Sequence, residues 1–248
     1  MKHAIFVAPF EELSDPRIVA ELAAEAEAAG WDGFFLWDHI RHAPPVRALA
    51  DAWVTLAAMA ATTTQIRLGP MVTPLSRRRV HKVARETVSL DLLSNGRLTL
   101  GVGLGAVGTG ELAEFGEVTD ARERAKLLDQ GLADLTRYWG GEFEPVPVQR
   151  PRIPVWVAGE WPHRKPLQRA ARWDGLFPIR LPGPDALAEL AAEVRAARPP
   201  GAPFDFAVDV PPGTDPAPWE AAGATWMLTG LGRTPTRAQV SKVINAAP

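Results

Sequence analysis

Short apolar runs alternate with longer segments of helical periodicity along the whole chain. The apolar runs predict eight β-strands, near residues 3–8, 33–37, 66–72, 98–103, 153–158, 175–179, 204–210 and 225–228. Several runs are apolar at consecutive positions, which is typical of strands covered on both faces. Because neighbouring parallel strands cannot be joined by a tight turn, the alternation predicts parallel strands connected by crossover helices.

Four of the intervening segments have a clear apolar face and predict helices. They cover residues 16–29, 77–93, 120–138 and 185–197. Asp15 and Pro16 have the residue types of an N-cap and a first helical position. The pair Asn95-Gly96 is expected to end the second of these helices, since both residue types tolerate a left-handed backbone.

Eight strand–helix units in 248 residues match the size of a TIM barrel, so we expect one α/β domain, a (β/α)8 barrel spanning residues 1–248. An open doubly wound parallel sheet is the alternative that the pattern leaves. The stretch 104–118 after the fourth strand contains glycines and is predicted to be a loop. Since active sites of such barrels are built from the loops that follow the strands, this enlarged loop is expected to be a lid or a cofactor wall.

Composition narrows the possible chemistry. The 27 Lys and Arg residues nearly balance the 29 Asp and Glu residues, so we expect neither nucleic acid nor anionic membrane as a partner. The absence of cysteine excludes disulfides, thiolate catalysis and cysteine–zinc sites. The five histidines form no metal-binding motif, and therefore no metal site is predicted. With few reactive side chains, a bound cofactor is expected to carry the chemistry.

The sequence also carries a prediction of location. The first apolar run is short, contains a proline and is followed by acidic residues, unlike a signal peptide. No stretch approaches the roughly 20 apolar residues of a membrane span. We therefore expect a cytoplasmic protein.

Two constellations close the second and third strands. Asp38 and His39 directly follow a buried run, and a carboxylate beside an imidazole suits acid–base chemistry near neutral pH. A helix cap with a surface histidine is the alternative. The third strand ends in two prolines and a glycine around residues 68–75, which suggests an irregular backbone that a planar group could approach. Residues 77–79 are three arginines, expected to bind an anionic tail or to form a solvated helix start.

Two further constellations close the fourth and fifth strands. Gly101, Gly103 and Gly105 leave one strand face without side chains, so a flat ring or a phosphate could lie against the backbone. Their spacing differs from the dinucleotide-binding fingerprint. Residues 159–163 form a turn before a helix with early cations, which predicts either a phosphate site or a plain surface turn.

Together these residues resemble the luciferase-like, flavin-dependent oxidoreductases, a TIM-barrel superfamily that includes FMN monooxygenases and enzymes of the deazaflavin F420. The resemblance extends from residue 1 to about residue 180. It is carried by GFFLWDH at 33–39, RLGPMVTP at 67–74, LDLLSNGR at 90–97, LGVGLG at 100–105 and PVWVAG at 154–159.

The resemblance implies F420 or FMN as the cofactor and a set of residues that hold it. The ring would pack on a non-prolyl cis peptide between Met71 and Val72, with Thr73 beside it, and Asp38 would touch the cofactor. The remaining cofactor-binding residues implied in this way are Gly103, Leu104, Gly105 and Ala106, followed by Ala158, Gly159, Glu160 and Trp161. The Asp38–His39 pair favours F420 over FMN.

The predicted function is therefore hydride transfer to or from a small organic substrate, or its oxygenation, in a homodimeric enzyme. His39 and Asp38 are the predicted catalytic residues. Phe10, Trp37 and Trp161 are the predicted substrate walls. A flavin-binding protein without turnover is one alternative. The other is a cofactor-free lyase or hydrolase that uses Asp38, His39 and Glu160.

Overall fold

Parallel strands form a nearly closed barrel in the computed structural model, which describes residues 1–247. The strands are β1 (Lys2–Val7), β2 (Gly33–Leu36), β3 (Arg67–Pro70), β4 (Thr73–Pro74), β5 (Leu100–Gly103), β6 (Val155–Glu160), β7 (Gly175–Ile179), β8 (Asp205–Val210) and β9 (Trp226–Gly230). Their order around the sheet is β3-β2-β1-β9-β8-β7-β6-β5-β4. The predicted barrel is confirmed, and the open doubly wound sheet is excluded.

The nine strands found within residues 1–247 correspond to the eight predicted ones, because the predicted third strand is divided into β3 and β4. β3 pairs with β2, whereas β4 pairs with β5. Between β3 and the residues before β5, the Thr99 N–H donates to the Leu68 carbonyl at 2.9 Å and the Leu68 N–H donates to the Arg97 carbonyl at 3.1 Å. The two halves of the third strand thereby bring the ends of the sheet together.

Helices surround the strands. They are α1 (Pro16–Ala28), α2 (Ala52–Thr62), α3 (Val80–Leu93), α4 (Ala121–Arg137), α5 (Lys165–Ala170), α6 (Pro184–Ala196), α7 (Ala217–Ala222) and α8 (Arg237–Asn245). Asp15 caps α1 as predicted, and Asn95 and Gly96 take the expected positive φ angles after α3. The structure begins α3 at Val80 rather than at residue 77, because Leu75–Arg77 forms a separate 3-10 turn. No helix among the described residues is both long and apolar enough to cross a membrane.

Two buried or half-buried charged groups hold the N-terminal end of the barrel together. The Arg97 guanidinium donates to the carbonyl oxygens of Ala60, Thr63 and Ile66 at 2.9–3.0 Å, and its Nε donates to the Ser94 carbonyl at 2.6 Å. The Glu27 carboxylate accepts hydrogen bonds from three consecutive backbone N–H groups, those of residues 64–66, directly before β3. Burial alone would raise the pKa of Glu27, but these hydrogen bonds outweigh it and hold the pKa below its ordinary value.

Candidate functional site

The C-terminal end of the barrel has an apolar, largely aromatic floor. The buried side chains inside the barrel are Ala4, Phe6, Phe35, Met71, Trp156, Phe177, Ala207, Trp226 and Leu228, and the half-buried Trp37, Val72 and Ala158 pack against them. The Phe6 ring centroid lies 5.9 Å from that of Trp37 and 5.7 Å from that of Phe177. We call Phe6, Trp37, Val72, Ala158 and Phe177 the mouth floor. Such a surface suits the face of a flat organic ring.

The end of the third strand has the backbone that the resemblance implies, a cis peptide between Met71 and Val72. Among the three residues expected to contact the ring, only Val72 is open to the mouth. Met71 is 4% exposed and belongs to the barrel interior. Thr73 is fully buried, and its hydroxyl donates to the Asp38 carboxylate at 2.6 Å.

The glycines of β5 do not form the bare shelf expected from their spacing. A Cβ built on Gly101 would lie 2.6 Å from the Met71 sulfur, and one built on Gly103 would lie 2.7 Å from the Val72 Cγ2. The absence of side chains on the inward face of β5 therefore makes room for the end of the third strand. The surface that remains available to a flat group is Val72, beside Ala158, rather than the glycine backbone.

Asp38 lies in a buried ion cluster and not on the surface of the mouth. Its side chain is 2% exposed, as is that of Arg77, while that of Arg78 is 14% exposed. Arg77 and Arg78 each donate to the Asp38 carboxylate at 3.1 Å, and the Trp53 indole N–H donates at 3.1 Å. The expectation of a solvated helix start is therefore wrong for these two arginines, and only Arg79 is exposed.

The charge of Asp38 follows from these partners. Burial alone would raise the pKa of the carboxyl group, but the guanidinium groups of Arg78 and Arg77 outweigh it, so the pKa is below its ordinary value. Asp38 is consequently ionised near neutral pH and held by four neighbours. It is suited to positioning His39 and the end of the third strand, rather than to releasing and accepting protons.

His39 has a carboxylate partner that sequence reasoning missed. Its Nδ1 lies 3.0 Å from Oε2 of Glu111, whose side chain is fully buried, and the Ile40 N–H lies 3.4 Å from the same oxygen. The other Glu111 oxygen, Oε1, is buried and has no partner among the residues described. Arg77 lies 3.9 Å from Glu111 and joins the histidine pair to the Asp38 cluster. This arrangement orients the His39 ring and leaves its Nε2 available at the mouth.

Aromatic rings support His39 from one side. The ring centroid of Trp37 lies 5.9 Å from that of His39, and that of His42 lies 5.1 Å away. Phe10 contacts Trp37 at 6.1 Å and His39 at 6.0 Å, but its side chain is fully buried. Phe10 thus packs behind these rings and does not form the substrate wall that was predicted. Trp37 is half-buried at the mouth, and its role as a substrate wall stays a prediction.

The predicted phosphate turn lies at the end of β6. The N–H of Trp161 donates to the Ile179 carbonyl at 3.0 Å, and that of His163 donates to the Glu160 carbonyl at 2.9 Å. The Glu160 carboxylate accepts from Arg180 at 2.6 Å. Since these backbone groups are already hydrogen-bonded, an anion at this turn would depend on side-chain cations.

The segment 104–118, which we call the mouth loop, is fixed to the barrel at three points. Arg124 donates to the carbonyl oxygens of Leu104 and Gly105 at 2.6 and 2.9 Å. Glu114 pairs with Arg41 in the loop after β2, and Glu111 contacts His39 as described. Leu104 and Gly105 are half-buried and Ala106 is exposed, so this part of the predicted cofactor wall borders solvent.

Comparison with known proteins identifies one family and two similar proteins. The family model described as luciferase-like monooxygenase matches residues 3–242. The F420-dependent glucose-6-phosphate dehydrogenase of Amycolatopsis mediterranei is 34% identical over 164 residues, which are 59% of this chain and 49% of that protein. This chain therefore spans about half the length of that relative. An uncharacterized protein of Mycobacterium tuberculosis is 32% identical, with 88% of this chain and 89% of the relative covered.

Solved structures of low sequence identity share the fold. The monooxygenase RslO1 of Streptomyces bottropensis has a TM-score of 0.77 at 18% identity, with 98% of this chain and 96% of that chain covered. The F420-dependent tetrahydromethanopterin reductase of Methanopyrus kandleri has a TM-score of 0.75 at 16% identity, with the same coverage. The oxygenating constituent of 3,6-diketocamphane monooxygenase of Pseudomonas putida, solved with FMN, has a TM-score of 0.72 at 17% identity over 85% of this chain and 67% of that chain. The named cofactors of these proteins are the two that the sequence predicted.

Proposed function

Because the chain belongs to the luciferase-like monooxygenase family, we propose that it is an oxidoreductase that uses F420 or FMN at the C-terminal mouth of its barrel. Its substrate is a small organic molecule, which is reduced, oxidised by hydride removal, or oxygenated. The observation that carries this proposal is the His39–Glu111 pair, which stands beside an apolar floor that includes the half-buried Val72. Relatives named for F420 and for flavin chemistry support the same class of reaction.

The residues around the mouth fit a flat ring with an anionic tail. Val72 and Ala158 offer an apolar surface for the ring, and Trp37 borders it. Beyond the end of β6, the Trp161 N–H donates to the Ile179 carbonyl, which brings this turn beside Arg180, and the Arg180 guanidinium would contact an anionic tail. When bound, the cofactor supplies hydride transfer or oxygen activation, chemistry that this chain's own side chains lack.

His39 is the proposed proton carrier. The Glu111 carboxylate accepts a hydrogen bond from Nδ1 of His39, which orients the imidazole ring and directs its Nε2 toward the mouth. There Nε2 can give a proton to the substrate or take one from it. Asp38 positions this pair from below, through Arg77. The aromatic rings around His39 limit access of water to the reacting atoms.

Separate titrations of the purified protein with F420 and with FMN test the cofactor. The protein should bind one of the two cofactors and quench its fluorescence. The dissociation constant should be on the order of micromolar or below. Ala158→Trp fills the floor beside Val72 and should abolish this binding. Ala192→Trp makes the same change on the exposed side of α6 and should leave binding unchanged. Failure of both cofactors to bind would overturn the proposal.

Variants of the histidine pair test the reaction. His39→Ala and Glu111→Gln should retain cofactor affinity, while the rate of cofactor oxidation or reduction in a substrate screen falls by about 100-fold or more. Glu117→Gln removes a carboxylate from the same loop that forms no ion pair with the described residues, and it serves as the matched control. Turnover in His39→Ala equal to that of the original protein would reject the role of His39. If the original protein and its variants bind the cofactor tightly but none of them turns over a substrate, the result would favour a flavin-binding protein without catalytic activity.

We propose a homodimer as the assembly. Val54 on α2 is 62% exposed, and Leu92 and Leu93 at the end of α3 are 45% and 52% exposed. These exposed apolar side chains, at the start of α2 and at the end of α3, lie on the outer surface of the barrel, where a second copy would cover them. Light scattering coupled to gel filtration should give twice the mass of the chain. A monomer at micromolar concentration would contradict this part of the proposal.

A further inference from the structure

An acidic side chain stands at the mouth without a partner. Along β8, Ala207 belongs to the barrel interior, while Phe206 and Val208 belong to the layer between strands and helices. Since side chains alternate along a strand, Asp209 also faces inward, one position before the C-terminal end of β8. The residue is exposed at the mouth, while the protein atoms packed around it keep part of the surrounding water away from its carboxylate.

Gly230 makes room for this carboxylate on the neighbouring strand. A Cβ built on Gly230 would lie 2.1 Å from Oδ1 of Asp209, so any other residue at this position would displace the carboxylate. Gly230 is paired in register with Phe6 of β1, whose ring is part of the mouth floor. The Asp209 carboxylate therefore lies over bare backbone, next to the aromatic residues of the floor.

The protein itself offers this carboxylate no counter-charge. Among residues 1–247, no group donates a hydrogen bond to the Asp209 carboxylate or forms an ion pair with it. Asp205, four positions earlier on the same strand, accepts hydrogen bonds from the Trp156 indole and the Thr225 hydroxyl. The walls of the mouth raise the pKa of Asp209 to about 6, and burial is the cause. Near neutral pH the group is mostly ionised, incompletely hydrated and without a cation.

We propose that Asp209 is a substrate-binding residue that selects molecules with an apolar or aromatic body and a protonated amine. The apolar body would lie on the mouth floor, and the ammonium group would donate to the Asp209 carboxylate. A charge-assisted hydrogen bond of this kind is strongest where the carboxylate is poorly hydrated. This inference rests on the proposed function, because it assigns the substrate side of the same mouth.

Three probes with one aromatic body test the selection: 2-phenylethylamine, 2-phenylethanol and phenylacetate. Their affinities are measured by ligand-observed NMR titration at pH 8, where the amine is protonated and Asp209 is ionised. The amine should bind at least about tenfold more tightly than the alcohol, and phenylacetate should bind most weakly. In Asp209→Asn the preference for the amine should disappear, whereas it should persist in Asp185→Asn, which removes an exposed carboxylate from α6.

Equal affinities for the three probes in the original protein would overturn the inference, as would a preference for the amine that survives in Asp209→Asn. Circular dichroism of each variant shows whether the barrel is folded, and Asp209→Glu provides a second variant that keeps the charge and should keep the preference. The probes need no cofactor, so the two proposals fail separately. Loss of F420 and FMN binding with an intact amine preference would reject only the proposed reaction.

Discussion

Replacing Asp38 with Asn tests whether the buried ion cluster holds the site together. The substitution preserves the shape of the side chain but removes the negative charge that compensates Arg77 and Arg78. Leaving one side of a buried ion pair uncompensated costs about 3–5 kcal/mol. Arg78 retains Glu86 at 3.4 Å, and Arg77 retains Glu111 at 3.9 Å, so we expect the lower end, about 3 kcal/mol. This would be a large part of the roughly 5–15 kcal/mol by which a domain is usually stable.

The effect should depend on pH with a definite sign. Because the folded pKa of Asp38 lies below its ordinary value of 3.8, the folded chain keeps the charge where the unfolded chain already binds a proton. The stabilisation is therefore fully present above the unfolded pKa and is lost as the pH falls through the lower, folded pKa. Urea unfolding at a series of pH values should give a constant difference between the two proteins at neutral pH and a shrinking one below about pH 4.

Glu123→Gln is the matched control for this experiment. Glu123 pairs with Lys126 on the surface of α4, where the two side chains are 54% and 72% exposed. Loss of this pair should change the free energy of unfolding by no more than about 0.5 kcal/mol. If Asp38→Asn costs as little as Glu123→Gln, or if its cost is the same at pH 3 and pH 7, the cluster does not stabilise the fold in the way described.

Two further changes test the packing around the mouth. In Gly103→Ala the new methyl group would lie 2.7 Å from Val72 Cγ2, so the free energy of unfolding in urea should fall by about 1–3 kcal/mol and cofactor binding should weaken. The control is Gly108→Ala, whose methyl group points into open space and should be nearly neutral. An equal effect at both glycines would refute this reading of β5. In Arg124→Met the mouth loop loses the side chain that donates to two of its carbonyl groups, so amide hydrogen exchange should accelerate in the loop while the strands stay protected. The control is Arg122→Met, which replaces an exposed arginine of the same helix and should leave exchange unchanged in both the loop and the strands. Unchanged exchange in the loop of Arg124→Met would show that other contacts hold it.

Much of the fold could be predicted because its signals are local. Buried parallel strands are apolar at consecutive positions, and a cap such as Asp15 is read from the residues beside it. The division of the third strand into β3 and β4 was not read as such from the pattern, because the run is apolar on both sides of the break at Met71–Val72. The start of α3 was placed three residues early for a similar reason, since the 3-10 turn before it shares a helix-like pattern.

The site was harder to predict because its partners are distant in sequence. Asp38 and His39 could be found, since they follow a strand at the end where barrel sites lie. Glu111 could not, because the mouth loop contains several acidic residues and no periodicity shows which one turns inward. Arg77 and Arg78 resembled a solvated run of charge, and their counter-charge lies about 40 positions earlier. Charge and spacing identify such residues only after the fold has brought them together.

The clamps formed by Arg97 and Glu27 lie at the opposite end of the barrel from His39 and Asp209. This division of labour has an evolutionary consequence. Segments of the mouth loop can be lengthened or exchanged without disturbing the hydrogen bonds that Arg97 and Glu27 make at the other end. Changes at the mouth that keep the Asp38 cluster intact therefore require little compensation elsewhere in the polypeptide.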